Sequence, residues 1–201
     1  MKKVFTLVIL PLAILFLGYM IFSSIQEPVK FKKEKEHRES VAIESLMDIR
    51  TLQEAYKSKY GRFTGSFDTL INFYKNDSIT IVKQIGSFDD SLAVAQKKVF
   101  RIEVNYSVKD TLLKESKQFI DSLKYIPYSG GDTMLLEAAV RKVSGVAVPL
   151  FQASAPFDLL LKGLDRQLII NLNVEREDTG RYPGLKVGDV DSPNNNVGNW
   201  E

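Results

Sequence analysis

The chain has 201 residues, of which 44% are hydrophobic and 26% charged, so it is long enough and apolar enough to fold around a core. Its 27 basic and 25 acidic residues give a net charge of +2, which offers no electrostatic footprint for nucleic acid. The chain contains no cysteine, which excludes disulfides, zinc–thiolate sites, thiol nucleophiles and a lipidated cysteine.

The N-terminus predicts a membrane anchor. Lys2 and Lys3 precede an uncharged stretch that runs from Val4 to Phe22. At about 1.5 Å per residue, a helix of this length spans roughly 28 Å, close to the thickness of the hydrocarbon layer. A cleaved signal peptide is the alternative, although its apolar core is usually shorter and ends at small residues. We therefore predict a single-pass transmembrane anchor over residues 1–25, in the inner (cytoplasmic) membrane, with the bulk of the chain in the periplasm.

Residues 26–40 are dense in charge and predict a solvated stalk beside the lipid headgroups. Pro28 lacks the N–H group that a helix interior needs, so we expect it to interrupt helical continuity after the anchor. The remaining residues, 41–201, are long enough for one extracytoplasmic domain.

A long amphipathic helix is predicted from about Glu34 to Tyr60, with Gly61 as its stop. Apolar residues recur there at spacings of three and four, which places them on one face of a helix. A face of this kind needs a partner surface, most simply a sheet of the same domain. The predicted stripe consists of Ala42, Leu46, Ile49, Leu52, Tyr56 and Tyr60.

The middle of the chain mixes helix and strand patterns. Ser66 is a plausible N-cap for a short second helix. The stretch from Ser78 to Val99 is ambiguous between helix and strand, with a further short helix predicted over Ser91–Lys98. Apolar and polar residues then alternate from Phe100 to Val108, as in a half-buried strand.

Strand patterns dominate the later part. Met134–Val143 and Val146–Ala153 flank Ser144-Gly145, a compact hairpin signal. Gln167–Asn173 is a third predicted strand, and the C-terminal segment, residues 180–201, is predicted to be a loop without regular structure. Helices first and strands later favour an α+β fold with an antiparallel sheet.

The sequence offers no constellation that favours catalysis. His37 stands in the predicted stalk with no nucleophile placed to use it. The carboxylate pairs Asp89-Asp90 and Glu177-Asp178 lie in polar, turn-like contexts, where carboxylates are normally solvated. The glycines form neither a phosphate-binding loop nor a dinucleotide fingerprint. We therefore predict that the protein is not an enzyme and has no small-molecule substrate.

One loop is a candidate metal site. The stretch 188–196 concentrates oxygen donors in a turn-prone context, and calcium prefers carboxylate, amide and backbone oxygens. The candidate calcium ligands are Asp189, Asp191, Asn194 and Asn196. Asn and Asp also favour turns for purely local reasons, so an ordinary loop is the alternative.

Trp200 is the single tryptophan of the chain. Its large apolar surface is costly to leave in water, which favours docking of the C-terminal segment into the core. An exposed contact for a partner is the alternative.

Two stretches resemble a known family. The sequence from Leu52 to Phe63 is similar to the end of the long helix of type IV pilins and type II secretion pseudopilins. The sequence from Asn194 to Glu201 resembles the end of the major pseudopilins, where an acidic calcium loop is followed by an aliphatic residue and a tryptophan. The chain departs from the family at Val4, where the prepilin cleavage glycine would stand, and at Ile9, where the early glutamate would stand.

The resemblance implies a pilin-like domain on a permanent anchor. Such a protein would be a non-enzymatic structural component of a type II secretion or type IV pilus-like envelope system, acting through the protein partners of that assembly. It would pack the C-terminal segment on the sheet and bury Trp200. The alternative is an extracytoplasmic scaffold or binding module of an unrelated envelope complex.

Overall fold

The computed structural model describes residues 10–85, 100–113, 116 and 119–201 as a mixed α+β structure with one long helix and antiparallel sheets. A 3₁₀ turn at Ile120–Ser122 precedes the second sheet. The helices are α1 Leu10–Tyr60, α2 Phe67–Asn76, α3 Val108–Thr111, α4 Phe157–Leu160 and α5 Arg166–Asp178. The strands are β1 Ser78–Ile85, β2 Phe100–Ser107, β3 Leu135–Val143, β4 Val146–Pro156 and β5 Gly184–Gly188.

The helix α1 runs unbroken through Pro28, so the predicted interruption at this residue is wrong. A proline inside a helix costs about 3 kcal/mol relative to alanine, and this cost is local. The residues that follow it are good helix formers, and ion pairs at i,i+4 spacing support them. These pairs are Lys32–Glu36, Lys35–Glu39 and Arg38–Glu34. The N-terminal and C-terminal halves of α1 therefore form one continuous rod.

The predicted apolar stripe is the core face of α1. Its first four residues, from Ala42 to Leu52, are fully buried, and Tyr56 is nearly so. This stripe packs across β4 and β5. Tyr60 differs, because it is 46% exposed and its hydroxyl donates to Asp77 Oδ2 (2.6 Å). The helix ends as predicted at Gly61, whose φ of +70° suits the left-handed conformation of a cap.

The domain that packs around this stripe is called the head below, and its described residues form two separate sheets. One is the three-stranded order β3-β4-β5 and the other is the pair β1-β2, all antiparallel. The predicted hairpin is confirmed: Ser144 and Gly145 both have positive φ, as a two-residue turn between twisted strands requires. The strand predicted from Phe100 is confirmed, and Ser78–Ile85 is its partner. The helix predicted over Ser91–Lys98 lies outside the described residues.

The strand predicted over Gln167–Asn173 is wrong, because these residues belong to α5. Asp165 Oδ1 accepts a hydrogen bond from Leu168 N (2.9 Å) and so caps this helix. Ile169 is buried and Leu172 half-buried, three residues apart on one helical face. A short apolar run is compatible with either a strand or a helix. Here the N-terminal cap stabilises the helix.

The prediction of a C-terminal segment without regular structure is wrong over Gly184–Gly188. These residues form β5, which pairs with β4 from Gln152 to Pro156. Glycine at both ends made the stretch resemble a loop. The structure needs these glycines because a Cβ at Gly184 or Gly188 would collide with the backbone of β4.

Candidate functional site

The N-terminal end of α1 presents an apolar surface, here called the apolar arm (residues 10–20). Its large side chains are between 51% and 73% exposed. They lie on every face of the helix, because four of them are consecutive. A helix that is apolar all round needs an apolar environment, either lipid or protein. The exposed residues are Leu10, Leu12, Ile14, Leu15, Phe16, Leu17, Tyr19 and Met20.

Within the described residues, no helix combines the length and the apolar character needed to cross a membrane. The predicted anchor, residues 1–25, begins with nine residues that lie outside the described part of the chain.

The predicted stalk, residues 26–40, is a helical part of α1 and docks on the head near its C-terminal end. Arg38 Nη1 donates to Lys162 O (2.9 Å) and to Leu160 O (3.3 Å). His37 Nε2 and the Tyr128 hydroxyl are hydrogen-bonded at 3.1 Å. The exposed lysines at 30, 32 and 33 fit the predicted solvated stalk, whereas Arg38 is held against the head. The direction of the arm is therefore fixed relative to the head.

A wide cleft of about 970 Å³ opens where α1 leaves the head. Phe31 and Leu164 supply its apolar surface, and Lys30, Lys33 and Glu34 lie at its rim. It marks the junction between the stalk part of α1 (residues 26–40) and the head.

Of the residues considered for catalysis, those that the structure describes are not joined by a hydrogen bond or ion pair. His37 contacts Tyr128. Glu177 and Asp178 are exposed at the end of α5, whereas Asp89 and Asp90 lie outside the described residues. In the described ranges, no group of three or more His, Asp or Glu side chains is placed to hold a metal ion.

The first predicted calcium ligand, Asp189, already has protein partners. Its Oδ2 accepts from Lys186 Nζ (2.9 Å), and its Oδ1 accepts from the backbone N–H groups of Asp191 (2.8 Å) and Ser192 (3.1 Å). Burial alone would raise the pKa of Asp189, but the hydrogen bonds from Lys186 and from the two N–H groups outweigh it and lower the pKa below its usual value.

The other three predicted ligands organise the same loop. Asp191 Oδ1 accepts from Arg141 Nη2 (3.0 Å). Asn194 Oδ1 accepts from Asn196 N (3.1 Å), and Asn196 Nδ2 donates to Glu54 Oε1 (3.3 Å). These contacts tie the loop to β3 and α1. Calcium at Asp189 would compete with Lys186, and its binding stays a prediction.

The C-terminal segment is docked on the sheet through Asn199. The Asn199 backbone N–H donates to Lys186 O (2.9 Å), while its side chain accepts from Lys186 N (3.0 Å) and donates to Gly184 O (2.9 Å). Trp200 packs against the core and is half-buried. The predicted docking is confirmed, although Trp200 keeps part of its surface open.

That open surface belongs to a second cleft of about 450 Å³, here called the C-terminal cleft. The sequence did not predict this cleft, because α5 was predicted as a strand and β5 as a loop. The available signal was Arg181-Tyr182 directly before β5, with Arg176 upstream and the single tryptophan, Trp200, downstream. Its main lining residues are Arg176, Arg181, Tyr182, Lys186, Trp200 and Glu201.

No protein-family model, curated protein or solved structure matches this chain. Among the described residues, the exposed surfaces that bear on function are the apolar arm and the two clefts of the head.

Proposed function

We propose that the protein is a non-enzymatic, membrane-anchored, pseudopilin-like structural component of a type II secretion or type IV pilus-like envelope system. Residues 1–25 anchor it in the inner membrane, and residues 41–201 lie in the periplasm. It acts through contacts with the protein partners of that assembly.

The observation that carries this proposal is the continuity of α1. One end of this helix is the exposed apolar arm, and the other end is the buried centre of the head. Ordering a long helix costs conformational entropy. Packing against the head offsets this cost only for the C-terminal half of α1. The exposed half gains stability when an apolar phase surrounds it, and both lipid and neighbouring helices of an assembly supply such a phase.

The head adds further support. A long helix that packs on an antiparallel sheet and ends at a glycine is what the resemblance to pilins and pseudopilins implies. The docked Trp200 and the ordered loop before it agree with the resemblance at the C-terminus. Fold-level likeness is an analogy, so the function needs a direct test.

The second candidate is an extracytoplasmic scaffold or binding module of an unrelated envelope complex. Val4 and Ile9 favour it, because they replace the cleavage glycine and the early glutamate of the family. An anchor that is never cleaved keeps the head at the membrane, as suits a scaffold.

Cross-linking from the arm tests the proposal. A photo-reactive amino acid is placed at Leu17 of the full-length chain in its native cells, with Lys142 on the β3–β4 hairpin as the control position. We expect cross-links from Leu17 to proteins of the assembly. Affinity purification and mass spectrometry should then recover pilin-like chains, a polytopic platform protein or a secretion-type ATPase. Recovery of unrelated envelope proteins alone would contradict the proposal in favour of the scaffold.

A further inference from the structure

The C-terminal cleft holds positive charges that have no ion-pair partner among the described residues. Lys186 is paired with Asp189 (2.9 Å), and Glu201 is paired with Arg50 (2.6 Å). Arg176 and Arg181 take part in none of the ion pairs among the described residues. Two guanidinium groups therefore face this region without a carboxylate partner from the described part of the chain.

Arg176 is restrained by an aromatic ring, and Arg181 is held close to it through the backbone. The Arg176 guanidinium lies 5.7 Å from the centre of the Phe157 ring, which limits its freedom before any ligand arrives. The Arg181 backbone N–H donates to Arg176 O (2.8 Å), so the turn after α5 keeps the two residues adjacent. A preorganised guanidinium loses less entropy when it binds an anion.

The walls of the cleft are aromatic. Tyr182 and Trp200 are both half-buried, and both line the cleft with part of their surface open. Exposed tyrosine, tryptophan and arginine are the residue types that most often supply binding energy at protein interfaces. This composition suits a ligand that carries a negative charge beside an apolar group.

We propose that the C-terminal cleft binds an acidic side chain of a partner protein, next to an aromatic or aliphatic residue of the same peptide segment. The inference rests on the proposed function, because it names the chemistry of one of the expected protein partners. An aspartate or glutamate carboxylate matches the planar fork of a guanidinium with two parallel hydrogen bonds.

A phosphate group fits this cleft less well. The cleft lies at the C-terminal end of α5, where the helix dipole is negative, and beside the carboxylate of Glu201. A dianion is repelled by both features more strongly than a single carboxylate. The local charge therefore favours an acidic peptide.

The single tryptophan provides the measurement, because Trp200 lines the cleft. Its fluorescence is followed in the full-length chain in detergent micelles as the peptide acetyl-Gly-Asp-Phe-Asp-Gly-amide is added. The matched control peptide carries Asn in place of each Asp. We expect a saturable change with the acidic peptide and roughly tenfold weaker binding, or none, with the Asn peptide.

Substitutions test which residues of the cleft bind the peptide. Arg176→Gln and Arg181→Gln should each weaken binding by roughly tenfold, and Lys142→Gln, a cation on the distant hairpin, should leave it unchanged. Circular dichroism confirms that each variant is folded. Arg181→Lys keeps the charge but loses the fork, so we expect it to restore binding only in part.

Several results would overturn the inference. These are no saturable response to the acidic peptide, equal binding of the Asn peptide, and unchanged binding by folded Arg176→Gln and Arg181→Gln. Tighter binding of inorganic phosphate than of the peptide would assign the cleft to a phosphate ligand instead. Membrane anchoring and cross-linking at Leu17 do not involve the cleft, so a failure here leaves the proposed function to its own test.

Discussion

Gln53 joins α1 to the segment that follows this helix. The side chain is fully buried, donates through Nε2 to Thr64 O (2.6 Å) and accepts from Thr64 N (3.1 Å) through Oε1. These two bonds satisfy both backbone groups of Thr64, which is itself buried. The sequence did not single out Gln53, because a polar residue on a helix is ordinarily solvated and its partner is 11 positions away.

Replacement of Gln53 by Met tests this contact. Methionine fills a similar volume but leaves the N–H and C=O groups of Thr64 unpaired, so we expect a loss of about 2–4 kcal/mol in the free energy of unfolding. The same substitution at the exposed Gln167 is the control and should cost about 0.5 kcal/mol or less. Urea unfolding of the full-length chain measures both, and equal effects at the two positions would contradict the role of Gln53.

Because folding lowers the pKa of Asp189, the stability of the folded state depends on pH, and the direction of this dependence is known. A carboxylate whose pKa is lowered by folding stabilises the native state above its usual pKa of 3.8, and this contribution is lost as the pH falls through the lower folded value. We expect Asp189→Asn to reduce the melting temperature at pH 7. The difference from the unsubstituted chain should close below pH 3.8, and a constant difference across this range would contradict the assignment.

The calcium prediction for the same loop is tested at constant pH. Calcium bound through Asp189 and Asp191 stabilises the folded state by mass action, so chelation should lower the melting temperature. Substitution of both residues by Ala should abolish this shift, whereas Asp158→Ala, at an ion pair beside α5, should preserve it. If chelation does not change the melting temperature, the calcium site is ruled out, and the loop is organised by its hydrogen bonds alone.

At the scale of elements, local signals predicted the regular parts well. The stripe on α1, the stop at Gly61, the cap at Ser66 and the turn at Ser144-Gly145 depend on interactions within a few residues, which the sequence displays directly. The course of α1 through Pro28 was missed, because the proline rule ignores the helix formers and ion pairs that follow this residue.

The helix α5 and the strand β5 were missed for a different reason. Gln167–Asn173 is short and apolar, and its conformation is decided by the cap at Asp165 and by packing against the head. β5 forms because it pairs with β4. Its glycines allow the two strands to approach closely, and no local sequence pattern predicts this contact. The C-terminal cleft lies between these two elements, so it could not be predicted before either was known.

The cap of α5 can be tested by a pair of substitutions. Asp165→Ala removes the acceptor for Leu168 N, and we expect it to destabilise the protein by about 1 kcal/mol. Asp165→Asn keeps a side-chain oxygen at the same position and should cost much less. Unfolding by urea compares the two variants, and equal losses would show that the hydrogen bond of the cap is not the source of the effect.

At the scale of the molecule, the order of helix and strand patterns predicted an α+β fold with antiparallel pairing. It did not predict that the strands divide into two sheets, because pairing between distant strands is decided by tertiary packing. The N-terminal sequence predicted a transmembrane anchor over residues 1–25, which stays a prediction; in the structure residues 10–20 expose an apolar surface at the end of a continuous helix. Under the proposed function, the apolar arm would anchor the chain and the head would present contacts to partners.

Membrane partitioning of the full-length chain in bacterial cells tests this claim most directly. We expect the chain to stay in the membrane pellet after alkaline carbonate extraction and protease added to spheroplasts to digest the head. Leu15→Arg with Leu17→Arg should lower the pelleted fraction, since each charge costs about 2.5–3.5 kcal/mol at the centre of a membrane helix. Val146→Arg, at an exposed apolar residue of the head, should not change it. Release of the unsubstituted chain by carbonate would contradict the membrane anchor, and a head protected from the added protease would contradict its periplasmic location.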